Sequence, residues 1–248
     1  MRKIILTLSM LSISTLSVFS QAILVFNGVY SCHLTKEISC YIDFQKNGCY
    51  TLEINYMPYK AENIETIQLS YGKFTIHNNK IILMDKAHGF SMQFLLQADY
   101  SKFTVEKSFG FLNNKVFHYN DASYEQECNY SEIDVKIQKN ERAFYQLQHK
   151  ILYKFYYGTY ESPNNTVKYE GRVFATRLEY ELKIQKENKY SFYYKAFLIS
   201  EGTFKRDRNV LSLFDINLQH SFYVLITDKG LISKYLPGEY NGSLLIRK

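Results

Sequence analysis

The stretch "CYIDFQKNGCYTL", residues 40–52, sets two runs of alternating residues around the tripeptide 46–48. A two-residue Asn-Gly turn would place apolar residues opposite acidic ones, although residues that face each other across a hairpin share one side of the sheet. A three-residue loop pairs Phe44 with Tyr50 and Ile42 with Leu52, which makes one face apolar. Gly48 then supplies the left-handed backbone that such a loop needs. The stretch therefore predicts a β-hairpin with a three-residue loop.

The hairpin register separates the two cysteines of this stretch. Cys40 falls on the core face, opposite Ile54, whereas Cys49 falls on the outer face. Residues on opposite faces cannot share a metal or a disulfide. Four cysteines allow three connectivities, and an exported chain can oxidise them. We expect disulfides between Cys32 and Cys40 and between Cys49 and Cys128.

The same stretch recurs later in the chain. It aligns without a gap on "YELKIQKENKYSF" (180–192), and "YGKFTIHNNKIILMD" (71–85) aligns on "EGTFKRDRNVLSLFD" (201–215). Two further matches, "NGVYSC" with "YGTYES" and "FSMQFLL" with "HSFYVLI", keep the same order. The second copy pairs Ile184 with Tyr190 and Leu182 with Phe192 in the same register, with Asn188 in the left-handed position. Four matches in register predict an internal duplication.

Each copy is a series of short alternating segments separated by turn residues. For the first copy we place strands near 28–32, 40–45, 49–55, 66–77, 80–84, 91–97, 102–106 and 115–119. Short strands at regular spacing are typical of barrels and sandwiches. The fold class is therefore all-β, with two tandem antiparallel meander β-barrel or β-sandwich domains at 23–119 and 157–248. Residues 120–156 form a connector, in which the spacing of Phe144, Leu147, Ile151 and Phe155 predicts a helix.

The first 22 residues have the layout of a secretory signal peptide. Arg2 and Lys3 precede an uncharged apolar run, and Ser20-Gln21-Ala22 offers small residues at a cleavage point. The alternative, an uncleaved membrane anchor, fits less well because the run is rich in Ser and Thr. We expect a secreted or periplasmic protein without a membrane span after signal removal. Its Lys and Arg form no dense block, which argues against nucleic-acid binding.

No motif of catalysis stands out in the chain. It lacks the Gly-x-Ser-x-Gly, HExxH and P-loop patterns, and its cysteines lack the CxxC spacing of structural zinc sites. Asp85 and Asp215 recur in the two copies, but each follows a strand and precedes a loop, where a carboxylate commonly caps the turn. We expect no enzyme and no catalytic, cofactor-binding or metal-binding residues.

Several of these motifs resemble a known family. The order Gly-x-Tyr in "NGVYSC", the hairpin "KNGCYTL" and the Gly-x-Phe of "YGKF" is similar to the N-terminal domain of the NlpE copper-resistance lipoproteins, and more widely to lipocalin-like barrels of bacterial envelope proteins. This chain has no CxxC and has Phe where the family has Trp. The resemblance therefore implies the fold and not the family's metal-binding or surface-sensing role.

These observations predict an exported, non-enzymatic binding protein with duplicated lipocalin-like domains. Its partner would be a small apolar ligand or an envelope protein. The alternative is a structural or protein-interaction component of the cell envelope, with Tyr41, Tyr193 and Tyr223 pointing outward. The same inward residues can line a ligand cavity or simply fill each barrel, and we favour filled interiors. The possible lining residues are Tyr30, Ile42, Phe74, Met92, Phe94, Tyr160, Leu182, Phe204, Phe222 and Val224.

Overall fold

The computed structural model describes residues 26–58, 63–121, 151–163, 167–169, 172–174, 179–234, 236–238 and 243–248. Within them the chain forms two closed eight-stranded antiparallel barrels in tandem. The predicted fold class is confirmed, and both units are barrels rather than sandwiches. The predicted signal peptide (1–22) and most of the connector lie outside the described residues.

Barrel 1 is a meander in which each strand pairs with the next and the last closes on the first. Its strands are β1 (Gly28–His33), β2 (Ile38–Phe44), β3 (Cys49–Tyr56), β4 (Glu65–His77), β5 (Lys80–Asp85), β6 (Ser91–Leu96), β7 (Lys102–Lys107) and β8 (Val116–Asp121), with a 3₁₀ turn at Gly110–Leu112. All eight lie within two residues of the predicted segments.

Barrel 2 repeats the same meander. Its strands are β9 (Gly158–Glu161), β12 (Tyr180–Ile184), β13 (Lys189–Tyr194), β14 (Phe197–Asp207), β15 (Val210–Asp215), β16 (His220–Ile226), β17 (Leu231–Lys234) and β18 (Ser243–Arg247), and β18 closes on β9. A two-stranded hairpin, β10 (Val167–Tyr169) and β11 (Arg172–Phe174), is inserted between β9 and β12. The predicted duplication therefore appears as two barrels of the same strand order.

The hairpin of residues 40–52 has the predicted register in both copies. Phe44 pairs with Tyr50 and Ile42 with Leu52 across β2 and β3, and Ile184 pairs with Tyr190 across β12 and β13. Gly48 has a backbone φ of +79°, as the three-residue loop requires. The alternating burial along β2 follows from this pairing, since every second side chain points into the barrel.

A glycine recurs where the long fourth strand of each barrel bends across its neighbour. A Cβ atom at Gly72 would lie 1.9 Å from the carbonyl oxygen of Met84, and one at Gly202 would lie 2.0 Å from that of Phe214. No side chain fits at such a distance. The recurring Gly-x-Phe motif therefore marks a close approach of two backbones, which the sheet needs in order to curve.

The described end of the connector is not helical. Residues 151–157 have no regular secondary structure, so the predicted helix is wrong for Ile151 and Phe155, whereas Phe144 and Leu147 lie outside the described residues. The backbone here bonds to barrel 2 instead of to itself. The Asn209 side chain accepts a bond from the N–H of Tyr153 at 3.0 Å and donates one to the carbonyl of Ile151. These contacts replace the bonds that a helical turn would make.

Buried apolar side chains of both barrels belong to one continuous hydrophobic cluster. Three polar contacts also cross between the barrels. Lys195 lies 2.9 Å from Glu65, whose other oxygen accepts a hydrogen bond from the Tyr194 hydroxyl at 2.9 Å. Asn113 donates to Asn217 at 3.4 Å. The barrels are thus packed against each other rather than linked only by the connector.

Candidate functional site

A buried chain of hydrogen bonds crosses barrel 1 from β3 to the end of β5. Ser70 donates to Asp85 Oδ2 at 2.7 Å, so the 2.7 Å contact between the hydroxyls of Tyr50 and Ser70 has Tyr50 as its donor. The second oxygen of Asp85 accepts bonds from the backbone N–H of His88 at 2.5 Å and from its ring Nδ1 at 2.9 Å. The Asp85 side chain is fully buried.

Barrel 2 holds the same arrangement at equivalent positions. Tyr190 contacts the hydroxyl of Ser200 at 2.8 Å, and Ser200 donates to Asp215 Oδ2 at 2.5 Å. The other oxygen of Asp215 accepts bonds from the backbone N–H groups of Asn217 (2.8 Å) and Leu218 (2.9 Å). Burial raises the pKa of Asp215, although these hydrogen bonds oppose the rise. The recurring residues thus form a Tyr–Ser–Asp network in each barrel.

The network is arranged for folding rather than for nucleophilic chemistry. An activated serine needs a base that accepts its proton, usually an imidazole, whereas in barrel 1 Asp85 lies between Ser70 and His88. In both copies the aspartate bonds to backbone N–H groups of the turn that follows it. The prediction that Asp85 and Asp215 cap turns is confirmed.

Two histidines that lie far apart in the sequence meet where the barrels touch. The ring centroid of His88, on the turn after β5, lies 6.2 Å from that of His220, at the start of β16. His220 also packs against Phe90 at 5.6 Å and Phe222 at 5.3 Å, and His88 contacts Phe222 at 5.3 Å. We call these four residues the histidine contact. Burial lowers the pKa of His220, and the neighbouring His88 lowers it further.

Sequence reasoning missed the histidine contact because the histidines do not recur at matching positions. The alignment of "FSMQFLL" with "HSFYVLI" nevertheless makes His220 the counterpart of Phe90. Contacts between equivalent positions are typical of two-fold interfaces, and the contact of His220 with Phe90 is of this kind. The internal alignment was therefore the signal available in the sequence.

The interior of barrel 1 contains aromatic rings that pack on each other. Phe94 stacks on Phe103 with centroids 5.1 Å apart, and Phe103 stacks on Phe117 at 5.0 Å. A second group joins Phe44 to Phe74 at 4.9 Å and to Phe26 at 4.8 Å. The rings therefore pack against one another inside the barrel.

All ten predicted lining residues are buried, none more than 4 % exposed. Their burial agrees with inward-pointing positions, and a ligand in contact with them stays a prediction. Of the three tyrosines predicted to point outward, Tyr41 and Tyr193 are half-buried and Tyr223 is 43 % exposed. The structure thus brings the lining residues together within each barrel but assigns them no ligand.

The cysteines are arranged largely as the hairpin predicted. Cys32 and Cys40 are paired across β1 and β2 and both are buried. Burial raises the pKa of the Cys40 thiol, and the neighbouring Cys32 raises it further. Both are free thiols, so only their facing arrangement is observed and the disulfide stays a prediction. Cys49 is 3 % exposed despite its outer face, which means that other parts of the chain cover it. Cys128 lies outside the described residues, and its bond to Cys49 stays a prediction.

Within the described ranges, no group of three His, Cys, Asp or Glu side chains is placed to hold a metal ion. No helix of the described part is long and apolar enough to span a membrane.

Comparison with protein-family models finds no match, and comparison with curated protein sequences finds none either. Among solved structures, the chain is similar to that described as the crystal structure of the Cpx pathway activator NlpE from Escherichia coli. The identity is 13 %, the match covers 86 % of this chain and 95 % of that one, and the TM-score is 0.23. The two eight-stranded barrels agree with the barrel fold that the sequence motifs predict.

Proposed function

We propose that the chain is an exported, non-enzymatic protein-binding component of the cell envelope. The observation that carries this proposal is the packing of barrel 1, whose interior rings stack on each other at 5.0–5.1 Å. Rings that stack on each other cover much of their own apolar surface, so on this proposal recognition falls to the outer faces.

The outer faces carry apolar side chains suited to a protein partner. Phe214 on β15 is 37 % exposed and Tyr223 on β16 is 43 % exposed. They lie diagonally on one face, because Phe214 pairs with Ser221 and Ser212 pairs with Tyr223. Aromatic residues of this kind are enriched in protein interfaces. The export signal predicted at 1–22 and the envelope family that the motifs resemble support the location.

A small apolar ligand is the second candidate function. The specific observation in its favour is the aromatic end of barrel 1, where Tyr100 (45 % exposed) and Tyr119 (51 %) contact the buried Phe26 and Tyr30. Burial raises the pKa of Tyr30 to about 12, so its hydroxyl remains protonated. Exposed rings above buried ones could receive the end of an apolar molecule.

Size-exclusion chromatography of a mild envelope extract tests the proposal. We expect the chain to elute in a complex larger than the purified protein, and Tyr223→Ser to move it to the position of the free chain. Ser221→Ala, on the same strand and face, is the matched control and should leave the complex intact. Elution of the unaltered chain at the position of the free protein would overturn the proposal.

A further inference from the structure

We propose that the two barrels separate when acid protonates His220, so that the histidine contact makes their docking dependent on pH. This inference concerns a conformational change and does not rest on the proposed function. Near neutral pH, the uncharged rings of His88 and His220 pack with the neighbouring phenylalanines and hold the barrels together.

The surroundings of His220 disfavour a charge. Its ring lies among Phe90, Phe222 and the second imidazole of His88. His220 is half-buried, and a cation that loses part of its hydration is disfavoured unless a partner compensates for the loss. Within the described part of the chain, no carboxylate lies within ion-pair distance of His220. A proton on its ring would therefore stand beside aromatic carbon and a second titratable ring.

The charge of Asp85 favours a proton on His220 and so offsets part of this cost, but burial and His88 outweigh it and the pKa of His220 is lowered. From barrel 1, Asp85 is 2.9 Å from the Nδ1 of His88, and Lys86 of the same turn is exposed. Because Asp85 and His88 belong to the same barrel, their pairing survives when the barrels part. From barrel 2, the backbone of Asp215 lies opposite that of His220 in the register of β15 and β16. The Asp215 carboxylate, however, accepts hydrogen bonds from Ser200 and from two backbone N–H groups.

The sign of the pH effect follows from proton linkage. Burial, and next the proximity of His88, lowers the pKa of His220 in the docked form. After separation, His220 regains the ordinary histidine pKa of about 6.5. The separated form therefore binds more protons under acid conditions, and docking weakens as the pH falls below about 6.5. Uptake of a single proton limits the change in the docking equilibrium to about tenfold per pH unit.

The repeat itself supplies the test variants. His220 is the counterpart of Phe90, and His88 is the counterpart of Leu218, so His220→Phe and His88→Leu place in each barrel a residue that the other already buries. His220→Phe removes the group whose protonation separates the barrels, whereas His88→Leu keeps His220 and removes only the second imidazole beside it. His77→Gln is the control, because His77 is exposed at the end of β4 in barrel 1.

The experiment follows the full chain between about pH 7.5 and pH 5.5. Small-angle X-ray scattering reports the radius of gyration, and hydrogen exchange, corrected for its intrinsic pH dependence, reports protection of the turn after β5 and the start of β16. We expect the unaltered chain and His77→Gln to expand and lose this protection as the pH falls. His220→Phe should remain compact and protected. His88→Leu should still expand, but at a lower pH than the unaltered chain, because one of the two groups that lower the pKa of His220 is gone.

An unaltered chain that keeps its radius and its protection at about pH 5.5 would overturn the proposal. Expansion of His220→Phe to the same extent as the unaltered chain would also overturn it. If His220→Phe does not fold, His88→Leu decides, because it leaves β16 unchanged: expansion of this variant at the same pH as the unaltered chain would overturn the proposal.

Discussion

At the scale of single residues, the two buried aspartates explain why parts of the repeat recur. Asp85 and Asp215 each join a buried serine and tyrosine to the turn that follows the fifth strand of the barrel. The serines are equally necessary to this network. The single hydroxyl of Ser70 or Ser200 bonds both to the tyrosine of one strand and to the aspartate of another. Recurrence here reflects the need to satisfy buried polar groups in both barrels.

The first prediction concerns these carboxylates. Asp215→Ala leaves the hydroxyl of Ser200 and two backbone N–H groups without an acceptor, so we expect a loss of about 3 kcal/mol or more in the free energy of unfolding. Asp215→Asn keeps one oxygen for the backbone and should cost less. Urea unfolding at neutral pH measures both, and the Asp85 variants should rank in the same order. Equal losses for the alanine and asparagine variants would contradict the network.

The second prediction concerns the cysteines. Facing residues on antiparallel strands have Cα atoms about 4.5–5.5 Å apart, which lies within the range that disulfides accept. Peptide mapping of the oxidised chain under non-reducing conditions should therefore find Cys32 joined to Cys40, and Cys49 joined to Cys128. A bond between Cys40 and Cys49 would contradict the hairpin register. Cys40→Ser should remove the first link and keep the second.

At the scale of elements, the strands and their register follow from side-chain alternation. Matching apolar faces across residues 40–52 was enough to place β2 against β3, because a slip by one residue would turn Phe44 and Ile42 to the outer face. The connector could not be predicted in this way. The spacing of Ile151 and Phe155 fits a helix, but the side chain of Asn209 in barrel 2 forms hydrogen bonds with the backbone of this segment. The periodicity of a segment carries no information about a partner so distant in the sequence.

The third prediction compares three glycine substitutions. Gly72→Ala and Gly202→Ala would bring Cβ within about 2 Å of a backbone oxygen, so we expect severe destabilisation or failure to fold. Gly48→Ala meets nothing within 4 Å and should cost only the strain of its positive φ, about 1 kcal/mol. Thermal unfolding ranks the variants. A Gly72→Ala variant as stable as Gly48→Ala would contradict the close approach of β4 to β5.

A control for the hairpin comes from the second copy. Gly48→Asn places in barrel 1 the residue that occupies the same loop position in barrel 2, where Asn188 has a φ of +55°. Because Asn tolerates the left-handed region better than most residues, this variant should be more stable than Gly48→Ala.

At the scale of the whole molecule, the relation between the barrels is the part that sequence patterns did not predict. Periodicity identifies the buried face of a strand but not which barrel ends meet. Glu65 and Lys195 looked like ordinary charged residues near turns, yet they form an ion pair between the barrels, with Lys195 also 4.5 Å from the ring of Tyr56. The histidine contact was missed for the same reason.

The fourth prediction concerns that ion pair. The hydrogen bond from Lys195 lowers the pKa of Glu65, so its stabilisation is present above the ordinary Glu pKa of about 4.3 and is lost as the pH falls further. Lys195→Met should lower the unfolding free energy at neutral pH by less than about 1 kcal/mol, since Glu65 is 41 % exposed. Below about pH 4 the variant and the unaltered chain should converge.

Lys189→Met is the matched control for the fourth prediction. Lys189 pairs with Glu187 within barrel 2, and both side chains are largely exposed. Its unfolding curve should follow that of the unaltered chain at every pH. An effect as large as that of Lys195→Met would show that the loss does not come from the contact between the barrels.

The most direct test of the filled barrels is native mass spectrometry of the protein purified from its own cells under mild conditions. If the aromatic residues inside the barrels pack only on each other, the measured mass equals that of the polypeptide alone. A small molecule retained in stoichiometric amount, and released when the chain unfolds, would contradict the account and support a ligand-binding barrel.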